Sequence, residues 1–174
     1  MNTSLDVPVL VSRLLALLDT SAALAEQLPA SASRAPTHDG RTPLELGYHV
    51  PQVVIGFLDA ALGGRLAQEH LERRPPAHCA TGADVAQLTR SVTQALAVWW
   101  GANRLRLPAE VDTYAGRRPL LPLLEHTVTH VARHTRQLQL LLEQHGVSPR
   151  PSLHPALLVG LLLPSDPWSR MNLP

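Results

Sequence analysis

The stretch Pro119 to Gly146, PLLPLLEHTVTHVARHTRQLQLLLEQHG, limits the possible folds more than any other part of the chain. Its apolar spacing predicts one long helix, with Pro119 and Pro122 where a first turn tolerates them and Gly146 where a helix stops. His126, His130 and His134 recur at every fourth position. Each step of four drifts about 40° around the axis, so the three share one side of the helix. With His126 at zero, Leu123 and Leu141 fall near 60°, Leu138 near 120° and Val131 near 140°, all approximate angles from the helical pitch. His130 at about 40° and His134 at about 80° then lie inside the apolar arc, with Gln137 at about 20° beside them and His126 at the border. Two imidazoles four residues apart and aimed at a core form half a metal site. The competing expectation is a pair of packed histidines, each with an ordinary hydrogen bond.

The rest of the chain is read as helices too. Long alternating β-branched runs and Asn-Gly hairpins are absent, so strands are not expected. A first helix is predicted from about Val7 to Leu28, with Asp6 as N-cap and a stripe of Leu10, Leu14, Leu17, Leu18, Ala22 and Leu24. Pro29 to Gly40 reads as a loop. Thr42-Pro43-Leu44-Glu45 is a capping box that opens a second helix with Leu46, Val50, Val53, Val54, Phe57 and Ala61 on its apolar face, ended by Gly63-Gly64. His49 lies one turn above Glu45 at the edge of that face, and Pro51 is expected to kink the helix or free the Gly47 carbonyl. Arg65 to Gly82 reads as a connection whose start prolongs the helix. A third helix runs from about Asp84 to Asn103 on Val85, Leu88, Val92, Leu96 and Trp99. Leu105 to Arg118 reads as loop, Ala156 to Leu163 as a short apolar helix and Pro164 to Pro174 as an irregular tail. Four long helices in one chain of 174 residues predict an all-α single domain, a four-helix bundle over about residues 5–146 with an extension over 147–174.

Composition narrows the functional classes. Fifteen arginines, no lysine and fourteen acids give a formal charge of +1 without a basic block, so nucleic acid is not an expected partner. Apolar runs such as Ala156 to Leu163 fall well short of the about 18 residues that span a membrane, and Asp6 makes MNTSLDVPVLVSRLL a poor signal peptide; a cytoplasmic location is expected. The single cysteine, Cys79, excludes an internal disulfide framework and a Cys-rich zinc site. His78-Cys79 as a nucleophile pair is a weak candidate, because adjacency in sequence does not make triad geometry. His38, His70, His145 and His154 are expected in solvent, Trp99 and Trp100 in core or rim packing, and Arg133 and Arg136 on the solvent side.

If His49 faces His130 and His134, three imidazoles meet at one divalent ion, with zinc or nickel the best match. Three protein ligands leave a position open, where a bound water or thiol is acidified or a carbonyl polarised. Gln137 would then fix a His tautomer or orient bound water.

These residues resemble the DinB/YfiT-like metalloenzyme family. Its mark is a His on the second helix, here His49 within ELGYHV, and an H-x-x-x-H-x-x-Q-L segment on the last long one, here His130 to Leu138. The resemblance spans roughly residues 5–146. It implies His49, His130 and His134 as the ligand triad, with His126 outside it, in an up-down-down-up bundle that forms a homodimer. Where family members often carry a second His before the last ligand and a Gly before the Gln, this chain has Arg133 and Arg136. The implied activity is thiol-dependent transfer or isomerisation, in which the metal activates a low-molecular-weight thiol such as mycothiol or bacillithiol toward a small-molecule substrate. Other relatives are named only for induction by DNA damage. A metal-dependent transferase or hydrolase is therefore the first expectation. The alternatives are a non-catalytic metal-binding bundle, its shell closed by His126 or Glu45, and a metal-free helical interaction protein.

Overall fold

The computed structural model describes residues 6–34 and 40–169. His38, part of the Pro29 to Gly40 loop and the last five residues of the tail lie outside the described residues. Five α-helices and three short strands follow in the order α1 (Val7–Glu26), α2 (Pro43–Ala61), β1 (Arg65–Leu66), α3 (Gln68–Glu72), α4 (Gly82–Asn103), β2 (Glu110–Thr113), β3 (Gly116–Pro119) and α5 (Leu120–Gln144). α1 and α2 each pack against both α4 and α5, and all four helices contribute to the larger of two buried hydrophobic clusters.

The expected stripe of α1 is fully buried: Leu10, Leu14, Leu17, Leu18, Ala22 and Leu24. Asp6 occupies the N-cap position, but its side chain makes no capping bond there. By length and composition α1 could cross a membrane; half of the relevant window is buried inside the protein, which accounts for its apolar character. The α2 capping box forms as expected, with Glu45 N–H donating to Thr42 Oγ1 at 3.1 Å and Thr42 N–H to Glu45 Oε2 at 2.8 Å. α2 continues through Pro51 to Ala61, and Ala60 rather than Ala61 takes the buried position at its end. In α4, Leu88 is half-buried while Val85, Val92, Leu96 and Trp99 are buried. α5 stops where Gly146 adopts φ 74°, a left-handed conformation that costs glycine little, and Val147 N–H donates back to Leu142 O at 2.9 Å.

Two segments read as connection and loop hold structure instead. β1 pairs in parallel with β2, and β2 pairs antiparallel with β3, with Arg65 opposite Asp112 and Val111 opposite Arg118. β2 alternates, burying Val111 and Thr113, but four residues are too few to stand out as a pattern. The 65–82 segment does not extend α2; it turns at Gly63, whose φ is 92°, and gives β1 and then α3. The expected helix over Ala156 to Leu163 shrinks to a single 3₁₀ turn, Pro155–Leu157.

Candidate metal centre

Two elements supply the site. The capping box fixes the first turn of α2 and with it His49, one turn further on. α5 supplies His130 and His134 on its buried side, as the angular spacing requires. Leu138, Leu141 and Val131 share that side and are buried, whereas Leu123 is half-buried. His126 sits at the border, half-buried, its ring 5.8 Å from that of His130.

The structure brings His49, His130 and His134 together, with one ligand nitrogen from each within 4.8 Å of the others. His130 Nε2 lies 2.9 Å from His49 Nε2 and 2.9 Å from His134 Nε2. His49 and His134 are buried and His130 half-buried. Neither His126 nor Glu45 belongs to this convergent set. Glu45 remains in the capping box, with its other oxygen 3.9 Å from Arg74 Nε.

Gln137 does more than line the face. Its Nε2–H donates to the Pro167 carbonyl at 2.7 Å, so its Oε1 must be the atom 2.5 Å from His134 Nδ1. A carbonyl only accepts, and this hydrogen-bond network therefore assigns the His134 proton to Nδ1. Its Nε2 is left with a lone pair directed at His130. Burial keeps the cluster neutral: it drives His49 down to about 2, with the His130 and Arg41 charges adding to the effect. His130 and His134 also lie well below the ordinary 6.5, first through burial and then through neighbouring imidazoles. With three neutral rings, a lone pair at His134 Nε2 and one shared neighbour, at most one of the two 2.9 Å contacts can be a full hydrogen bond. A divalent cation satisfies all three nitrogens at once, so the donor set fits a metal better than it fits itself.

The other candidates separate clearly. Cys79 is buried, and burial followed by the Asp84 charge pushes its thiol up, away from a reactive thiolate. His70 is not solvated as expected: its Nδ1 accepts from Ala67 N–H at 3.2 Å and its Nε2 lies 3.5 Å from Asp59 Oδ2. His145 and His154 are exposed, each bonded to nearby backbone. Trp99 is a core residue, stacked edge-on with Phe57 at 5.6 Å between ring centroids. Arg133 and Arg136 turn out half-buried rather than solvated, because the tail lies over α5. Arg133 donates to the carbonyls of Pro167 and Ser169, and Arg136 reaches those of Pro164 and Ser165. The sequence pattern missed this, since backbone carbonyls in a Pro- and Ser-rich segment leave no residue signature. Comparison with known families, with characterised proteins and with solved structures finds nothing that matches the chain.

Proposed function

We propose that the chain is a metal-dependent enzyme of the DinB/YfiT-like class, holding a divalent ion on His49, His130 and His134. The observation that carries this is the convergence of three neutral imidazoles from two helices on one point inside the core. Borderline nitrogen donors suit zinc or nickel, with three protein ligands and an open position. No fourth side chain joins the described set, which favours a catalytic over a structural ion. When bound, such an ion acidifies a thiol or water, or polarises a carbonyl, for attack on a small electrophile.

The residues of this chain have separate duties in that chemistry. Gln137 holds the proton of His134 on Nδ1 and so keeps Nε2 free to ligate. The α2 capping box sets the height of His49 against α5. Burial excludes competing protons from all three nitrogens. In this proposal the four long helices form the family's up-down-down-up bundle, the 62–81 connection carrying the chain between α2 and a parallel α4, and the active species is a cytoplasmic homodimer.

Metal analysis of the purified chain tests the core of the proposal. One equivalent of a divalent metal per chain is expected, and His49→Ala and His130→Ala should each lose it. If both variants keep a full equivalent, the triad is wrong. A metal-loaded chain that does not speed loss of an electrophile in the presence of a small thiol leaves only the non-catalytic, metal-binding role.

A further inference from the structure

A cavity of about 220 Å³ lies between the start of α2 and the end of α3, and it reaches the ligand set because His49 forms part of its wall. Its volume falls below the roughly 300–1,000 Å³ typical of sites for drug-sized ligands, so its occupant is small. Arg41, Arg73 and Arg74 line it, together with Glu45 and Glu72. Glu45 is committed to the Thr42 N–H and to Arg74. Arg41 and Arg73 share the wall of this cavity with His49. Guanidinium groups select planar anions, since a carboxylate accepts two parallel N–H bonds from one fork.

We propose that this cavity is the anion-binding half of the substrate site: the substrate is a small carboxylate, its charged end held by Arg41 with Arg73 while its reacting end lies at His49. The proposal rests on the metal reading given above and adds the chemical class of the substrate. It also gives Arg41 a positioning role, at the end of the substrate remote from the ion that the triad would hold.

The test uses the full chain loaded with Co(II), whose sulfur-to-metal charge-transfer band reports thiolate binding. Two probes, 4-mercaptobutyrate and 4-mercapto-1-butanol, share the thiol and differ in the carboxylate. The acid should bind at least about tenfold more tightly than the alcohol, the effect of a single good charge-assisted contact. The Arg41→Ala/Arg73→Ala double variant should bring the two affinities together without changing the alcohol's affinity or the cobalt content. Should the double variant fail to fold, Arg73→Ala alone, at an exposed position, must weaken the acid selectively. Equal binding of the two thiols by the wild-type chain, or a preference that survives in cobalt-loaded variants, overturns the proposal while the metal site stands. A wild-type chain that takes up no cobalt overturns the metal reading and this proposal together.

Discussion

The α1–α4 side of the core and the α2–α5 side differ in how their buried polar groups are satisfied. α1 and α4 bring Leu10, Leu14, Leu17, Leu18, Val92, Leu96 and Trp99 to the core, and their buried threonines bond carbonyls of their own helices: Thr20 to Ala16 O at 2.9 Å and Thr89 to Val85 O at 2.8 Å. α2 and α5 instead bury His49, whose partner His130 lies on the other helix, and His134 and Gln137, which bond each other within α5 and reach the tail through the Gln137 amide. One side is thus assembled for stability, while the other carries groups that cost desolvation and are fully satisfied only by a ligand. Among the described residues, Trp99 Nε1 on α4 and Gln52 Oε1 on α2 are the buried side-chain atoms without a hydrogen bond.

The largest expected effect of this difference is on acid stability. The folded imidazoles are held below their ordinary 6.5, His49 down to about 2, whereas the unfolded chain titrates near 6.5. The unfolded state therefore binds more protons throughout that window, and stability must fall as pH drops below 6.5, while these histidines leave it level between 6.5 and neutrality or just above. Each group contributes at most roughly 1.4 kcal/mol per pH unit, so the metal-free chain should be clearly less stable at pH 5 than at pH 7. Urea midpoints at pH 7 and pH 5 measure this directly, and equal midpoints would mean the cluster carries no desolvation cost. On the other side of the core, Leu17→Ala should cost about 2–5 kcal/mol at any pH in that range, as a fully buried leucine does. Its metal stoichiometry should stay at the wild-type value once folded. A variant that loses metal along with stability would show that the two sides are not separable.

Much of this division is legible in the sequence where it depends on local geometry. Thr42 and Glu45 announce the start of α2 because a capping box is closed within four residues. His130 and His134 point inward because a helix repeats at a fixed angle, and His126 falls at the border for the same reason. Where partners are distant in sequence, legibility fails. β1 has two residues and pairs with a strand more than forty positions away, so no window contains its signal. One miss is local instead: Thr81, whose hydroxyl accepts from Asp84 N–H at 3.2 Å, closes a second capping box and starts α4 two residues earlier than the apolar pattern suggests. The bonds from Arg133, Arg136 and Gln137 to the tail escape notice because their acceptors are main-chain carbonyls, identical at every residue.

The dependence of His134 on Gln137 ranks next. Gln137→Leu removes the acceptor that fixes the His134 proton on Nδ1, and metal affinity should drop about 10–100-fold, the usual effect of losing an outer hydrogen-bond partner of a ligating histidine. Competition with a chelating dye would measure it. Shortening the chain before Pro164 removes the carbonyl that orients the Gln137 amide and should give a smaller loss in the same direction. If Gln137→Leu binds metal as tightly as wild type, the tail and the site are independent, and the α2–α5 side is simpler than its hydrogen bonds imply.

The smallest effect belongs to the seam between the two sides. Ser21 on α1 and Thr135 on α5 are 2.5 Å apart, both buried. Thr135 donates its only hydroxyl proton to Val131 O at 2.8 Å, so Ser21 is the donor between them. Ser21→Ala leaves the Thr135 bond to its own helix intact and removes one neutral hydrogen bond, which should cost about 1 kcal/mol in urea unfolding. Thr135 is the residue next to His134, yet its side chain faces α1, so metal affinity should be unchanged. A cost of several kcal/mol, or a weakened metal site, would mean that α1 braces the ligand helix through this hydroxyl pair, and the boundary between the stabilising side and the functional side would then run through α1 itself.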